Sequence, residues 1–232
     1  MRANNLNKYH ISLDESDLII FTKKIDVQKV RKYLQKCRQE IIDAIKLNND
    51  FLTSFEPIRM DNKFSKIAKD MISATNHYEV GPMAAVAGAV ALYLGRYIKK
   101  ANQEVIIENG GDLYIYTTSK RFINLYTEDN IYKDRLNIEI NPTGTELSIC
   151  TSSRKLGHSQ SLGNSDAVVI KADNAIYADA GATAYANKVK TKIDIERVLL
   201  EAKEDKYIKG IIIIIDGYLG AWGDIKLRER DY

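Results

Sequence analysis

The sequence predicts an α+β fold, and three observations carry that expectation. Between Asp26 and Ile45, apolar residues recur at three- and four-residue steps, the period of a helix with one wet face. After Ala101 the texture changes to short β-branched and aromatic runs separated by turn residues. The two textures also come in blocks (hairpin, helices, strands, helix, hairpin) and not in alternating β-α-β units, which favours a mostly antiparallel sheet with about four to five helices packed on it. No Pro/Ser/Gly linker and no repeat period divides the 232 residues, so a single domain over 1–232 is expected.

Taken in order, "YHISLDESDLIIF" (9–21) reads as an opening hairpin around a polar turn. Asp26 is a suitable N-cap for a helix that buries Val27, Val30, Leu34, Cys37, Ile41 and Ile45. Asp61 is expected to cap a second helix, with Phe64, Ile67, Ala68, Met71 and Ile72 inward. The Ala-rich stretch from Pro82 to about Lys100 is a third helix, because proline's missing N–H would be orphaned in a first turn anyway. Gly88 and Gly95 lie on one side of it and let another backbone or a ligand approach. Six short runs from "EVIIENGGD" to "DAVVIKAD" are strands, and helical composition returns over 177–190 and from Ile193 to Ala202. The isoleucine run of "GIIIIIDG" needs cover on both faces and belongs inside a sheet. With "DIKL", joined by "YLGAWG", it reads as a closing hairpin.

Composition narrows the function classes. Apolar residues make up 45% and charged residues 28%, an ordinary globular mix, and the net charge of +3 comes from 34 basic residues scattered among 31 acids. Clustering of charge is what marks a nucleic-acid surface, so no nucleic-acid partner is expected. Cys37 and Cys150 lack CxxC or His spacing, which argues against a structural zinc site or a disulfide scaffold. Reduced thiols and an N-terminal stretch without an apolar signal region fit a cytoplasmic protein. The apolar stretch at 82–95 falls short of the roughly 20 residues a membrane crossing needs. No membrane partner is expected.

Chemistry concentrates in three places. "IIENGGDLYIY" (106–116) puts Gly110 and Gly111 between strands, flanked by Asn109 and Asp112. On this piece alone a plain hairpin turn is favoured over an anion-binding nest of N–H groups. "ICTSSRKLGHSQSLGNSD" (149–166) leaves a strand through Thr151, Ser152 and Ser153 and continues to His158, a loop rich in donors for phosphate or carbonyl oxygens. Its order fits no nucleophile elbow, and an ordinary polar turn is the bland alternative. "YADAGATAYAN" (177–187) carries one charge, Asp179, and Thr183 one helical turn later on the same face. A carboxylate and a hydroxyl so placed make half a site for a hard cation such as Mg²⁺. The competing reading makes Asp179 its own helix's N-cap and bonds Thr183 to a carbonyl. No Rossmann glycine pattern and no P-loop is present.

In combination and order, "VGPMAAVAGAVA" (80–91), "VIIENGGDLYIY" (105–116), "ICTSSRKLGHSQSLGNSDAVVI" (149–170), "ADAGATAYAN" (178–187) and "GYLGAWGDI" (217–225) resemble an uncharacterised, mostly prokaryotic family distantly related to the ApbE-like FAD:protein FMN transferases. The resemblance implies a T-fold-like ApbE-type architecture with a flavin nucleotide, FAD or FMN, in its cleft. It implies Mg²⁺ held by Asp179 and Thr183 against the FAD pyrophosphate. It places the Gly-Gly-Asp motif on Gly110, Gly111 and Asp112, and the Thr-Ser pair on Thr151 and Ser152, with Ser153 beside them. His158 and Asp112 become the catalytic candidates. In the transferase reaction a hydroxyl of a target protein attacks the FMN phosphorus and AMP leaves, so a target protein is an implied partner. This chain departs from the transferases in lacking their lysine at the Ala-rich helix start, in a shortened histidine stretch, and in Arg154 where a glycine is usual.

Two readings stay open from the sequence. One is an enzyme with a Mg²⁺-assisted flavin or related phosphorylated-ligand pocket. The other is a non-catalytic ligand-binding or oligomeric scaffold of the same fold, with the Gly/Ala helix packed against its own domain or a second copy. An Asp179 side chain far from any cleft, or sealed in a dry interior, would leave only a likeness of shape.

Overall fold

The computed structural model describes residue 3 and residues 5–125, 127, 131–132, 135–142, 144–153 and 163–229. Two strands, β1 (Asn7–Leu13) and β2 (Ser16–Thr22), form the opening hairpin. Helix α1 (Val27–Leu47) follows, and the Asp26 carboxylate accepts from the Gln28 and Lys29 amides as its N-cap. Loss of that cap would cost about 1 kcal/mol. Its buried stripe is Val30, Leu34, Cys37, Ile41 and Ala44, while Val27 is exposed because it sits on the first turn facing solvent.

A short helix α2 (Asp50–Thr53) precedes α3 (Lys66–His77). The cap of α3 is Ser65 and not Asp61, whose carboxylate instead closes a local turn onto the Lys63 amide. Pro82–Ala85 forms one 3₁₀ turn and α4 (Val86–Lys99) continues from it. Then come β3 (Val105–Asn109), β4 (Asp112–Tyr116), β5 (Arg121–Leu125), β6 (Leu136–Ile140), β7 (Leu147–Ser152), β8 (Ala167–Ala172), α5 (Ala175–Lys188), α6 (Asp194–Lys203), β9 (Ile208–Ile215), β10 (Tyr218–Gly223) and β11 (Lys226–Glu229). The described residues thus hold six α-helices, more than the four to five expected, because α2 is too short to leave a periodic trace.

An antiparallel eight-stranded sheet runs β1-β2-β3-β4-β7-β8-β9-β10, and a three-stranded sheet runs β11-β6-β5. The large sheet is the middle layer. One face packs on the helices through residues such as Ile107, Tyr114, Val168, Ile170, Ile211 and Ile213. The other face meets the small sheet through Ile106, Ile115, Ile149, Val169, Ile212 and Ile214. Strand alternation therefore sends the isoleucines of β9 into two cores, which is the two-sided cover such a run requires.

The closing segment differs from the expected hairpin. "YLGAWG" is itself strand β10, turned back on β9 through Asp216 and Gly217, both at positive φ. "DIKL" then leaves the large sheet, and β11 pairs with β6. A segment read as connection is half-buried strand because its alternation is masked by glycine and alanine. Among the described residues no single helix is long and apolar enough to cross a membrane.

Candidate functional site

The helix α5 is buried almost all round, from Ala175 to Ala186, so no amphipathic period exists in it. Its N-cap is Asn174, whose side chain accepts from the Ile176 amide. Asp179 is therefore free of capping duty on its own helix and points across to α4. Gly88 makes that contact possible. A Cβ there would meet the Ala175 carbonyl oxygen at 2.2 Å and the Asp179 Cβ at 2.8 Å. The expected close approach at Gly88 is thus α5 itself, while the other glycine, Gly95, is packed under the Tyr114 ring.

With α5 so near, the Gly88 amide donates to Asp179 Oδ2 at 2.8 Å, and the Ala87 amide also bonds this carboxyl. Residue 85, where α4 begins, has no side-chain cap, so Asp179 caps α4 from a neighbouring helix. The competing reading fails on both counts, since Asn174 caps α5 and the Thr183 hydroxyl bonds no carbonyl; the helix start that Asp179 does satisfy is that of another helix.

Asp112 approaches from the sheet. Gly110 (φ +64°) and Gly111 (φ +114°) form the two-residue turn between β3 and β4, both at positive φ as such hairpin turns require. Nothing lies within 4 Å of a Cβ built at either, so the turn is open on that side. The Asn109 side chain ties it to α4 by donating to the Ala87 carbonyl at 3.0 Å. Asp112 shares the helix-facing side of β4 with Tyr114, and its Oδ1 accepts from the Thr151 amide at 3.2 Å. Cys150 is beside it on β7, and that thiol also reaches the Ala175 carbonyl at 3.6 Å.

Asp112 and Asp179 are neighbouring buried carboxyls, and each alters the other's ionisation. Burial pushes Asp112 up to about 7, against bonds from Cys150, the Thr151 amide and Asp179 that favour its anion. Burial and the Asp112 charge push Asp179 well above the carboxylate range, despite the Gly88 and Ala87 amides. Burial likewise raises the Cys150 thiol. Burial thus holds both carboxyls above the usual carboxylate range, and the charge of one raises the cost of ionising the other. Asp179 is buried, at 7% exposure, but it is lined by polar groups and not by an apolar interior alone, since Thr183 Oγ1 and Ser152 Oγ are also buried and lack any hydrogen-bond partner.

Oxygen donors from two carboxyls and two hydroxyls are hard ligands of the kind Mg²⁺ takes. An orphaned hydroxyl one turn after a buried acid is an arrangement that a cation would satisfy, displacing any proton the acid holds. In donor chemistry the residues fit. Among the described residues no group of three or more His, Cys, Asp or Glu could hold a metal by itself, so hydroxyl, backbone or ligand oxygens would have to complete the shell.

The structure brings Asp112, Asp179, Thr183 and Ser152 to one buried region. It separates Thr151 from Ser152. Alternation along β7 sends Ser152 to the helix side, while Thr151, paired with Val169, faces the small-sheet side and offers Asp112 its backbone amide. Ser153 is buried just past β7. His158 lies outside the described residues. Cys150 and the α4 amides were missed as site groups. The β4–β7 register brings Cys150 beside Asp112, and no spacing in the chain announces it.

Comparison with known proteins bears on the family and the fold. The family model described as AbpE bacteria matches residues 1–210. A UPF0280 protein of Methanobrevibacter smithii is 34% identical over 229 residues, covering 96% of each chain. One from Archaeoglobus fulgidus is 32% identical over 226 residues, covering 95% of this chain and 93% of its own. Among solved structures, the flavin transferase ApbE from Vibrio cholerae superposes with a TM-score of 0.61 at 12% identity, over 94% of this chain and 97% of that one. The ApbE protein from Thermotoga maritima gives 0.60 at 11%, over 93% and 96%. At such identity the likeness is one of fold, and it bears out the ApbE-type α+β architecture. Full-length similarity to the UPF0280 proteins and the match over residues 1–210 place this chain in the AbpE bacteria family.

Proposed function

We propose that the region around Asp112 and Asp179 is a flavin-nucleotide site, with Mg²⁺ held by Asp179 and Thr183 and the nucleotide phosphates beside it. The observation that carries this reading is the buried acid pair with an unpartnered Thr183 hydroxyl one helical turn from Asp179. The shared fold with proteins named as flavin transferases supports the choice of ligand. When bound, the metal would neutralise charge on the linked phosphates. Gly110 and Gly111 leave open backbone on one side, and Ser152 and Ser153 offer hydroxyls for phosphate or ring atoms.

In the catalytic form of the proposal, the oxygen of a target-protein hydroxyl bonds to the FMN phosphorus and the bond to AMP breaks. Asp112, with a pKa near neutrality, can take the hydroxyl proton. His158 is a second acid–base candidate on sequence grounds. A cytoplasmic setting belongs to the same proposal, since Cys37 and Cys150 are buried free thiols. A second reading has its own observation. The Asp179 bond to the Gly88 amide can be purely structural, leaving a scaffold without catalysis.

Flavin fluorescence titrations with and without Mg²⁺ separate the two. The proposal expects FAD affinity to rise with Mg²⁺ in the wild type, and Asp179→Asn to lose that response while folding normally. Asparagine keeps an acceptor for the α4 amides, so equal Mg²⁺ response in Asp179→Asn would establish the structural reading. AMP release in the presence of an acceptor then distinguishes transfer from binding.

A further inference from the structure

The eight-stranded sheet ends differently on its two sides. At one end β1 carries Lys8 and is flanked by Asp17 of β2, charges that discourage another strand from adding. At the other end β10, "YLGAWG", has neither a charge nor a proline. Among the described residues no strand pairs with its outer row of N–H and C=O groups, which leaves a template for another strand.

Helix α6 overhangs this edge. Between them lies a groove of about 560 Å³ lined by Ile193, Leu199, Leu200, Tyr218 and Trp222 among others. Ile193 is 82% exposed, Leu200 59% and Tyr218 49%, a concentration of apolar surface on one short helix and one strand. The floor is tight, since a Cβ at Gly220 would meet Ile195 Cγ2 at 2.3 Å, so α6 is fixed firmly against the edge strand.

The charges on α6 complete the picture. Arg197 pairs with Asp194 and Glu201, and Glu201 also with Lys188. Glu196 and Lys203 border the same groove, and neither has an ion-pair partner among the described residues. They sit two helical turns apart, one on each side of Leu199 and Leu200.

We propose that α6 and β10 form the interface of a homodimer whose twofold axis, normal to the sheet, passes beside α6 at the level of Leu199 and Leu200. That axis lays α6 antiparallel to its copy on the same face and sets each Glu196 against Lys203 of the second copy, twice per dimer. It also brings β10 against β10 antiparallel, closing the unguarded edges into one continuous sheet. The self-complementary order of charge, acid then leucines then base, selects a second copy over an unrelated peptide strand. The interface is independent of what the acid pair binds.

Sedimentation velocity on the full chain over a concentration series tests it. The wild type should dimerise, and Leu200→Asp, at a position 59% exposed in the single chain, should be monomeric with an unchanged far-UV circular dichroism spectrum. Glu196→Lys and Lys203→Glu should each weaken the dimer by about tenfold. The double reversal E196K/K203E should return to near wild-type affinity, a result that a non-specific apolar contact would not produce. A wild type that is monomeric at every concentration, a dimer indifferent to Leu200→Asp, or a double reversal no tighter than either single one would overturn the proposal.

Discussion

Glu104, at the entry to β3, and Asp112, at the entry to β4, are both buried carboxyls at the ends of neighbouring strands, yet their surroundings act in opposite directions. Glu104 Oε1 receives the Thr117 hydroxyl at 2.6 Å, the Thr118 and Ser119 amides, and the Arg121 guanidinium at 3.0 Å. Burial alone would raise it, but these donors outweigh burial and hold it down at about 2. Asp112 has for its nearest ionisable neighbours a second acid and a thiol, and it rises to about 7. Among the described residues no ammonium or guanidinium bonds to it or to Asp179. One carboxyl is a finished structural joint. The other pair is a place where the fold holds negative charge in readiness.

The contrast can be broken most strongly at the finished joint. Arg121→Met strands the Glu104 charge among groups that can no longer neutralise it and should cost about 3 kcal/mol in urea unfolding. An equally large loss at Asp112→Asn would show that the two sites are alike. Instead, with divalent cations chelated, Asp112→Asn should be more stable than wild type at pH 8 by an amount on the order of 2 kcal/mol, because asparagine keeps the Thr151 bond and can donate to Asp179.

The pH dependence has opposite signs at the two sites. Asp112 titrates at about 7 when folded and at about 3.9 when unfolded, so its contribution is full below about pH 4 and is lost as pH rises through 7. Glu104, held at about 2 against an ordinary 4.5, contributes above pH 4.5 and loses that contribution as pH falls through 2. Thermal melts of the chelated protein should therefore show a decline between about pH 4 and 7 that Asp112→Asn flattens, and an acid decline that it leaves in place. The smallest effect is at the orphaned hydroxyl. Thr183→Val should gain up to about 1 kcal/mol, since it removes a buried polar atom with no partner.

How far these regions could be read from the chain follows from their exposure. α1 announces itself because one face is wet, and Asp26 caps it as its chemistry suggests. The Gly110–Gly111 turn was equally plain, since positive φ demands residues of that kind. α5 has no wet face, so its composition marked it only as tightly packed, and spacing could pair Asp179 with Thr183 but not show what faced them. The partner acid Asp112 is 67 residues earlier, brought in by sheet order and by the omission of a side chain at Gly88. Long-range register of that kind has no local trace. The same reason hid β10, whose glycines and alanine blur alternation, and Ser65, outbid as a cap by the more conspicuous Asp61.

Isothermal titration of Mg²⁺ into the FAD-saturated chain, wild type against Thr183→Val, tests the central claim most directly. The account predicts stoichiometric Mg²⁺ uptake by the wild type and its loss in a valine variant that melts at the same or a higher temperature. Undiminished Mg²⁺ binding in Thr183→Val, or none in the wild type, would contradict it.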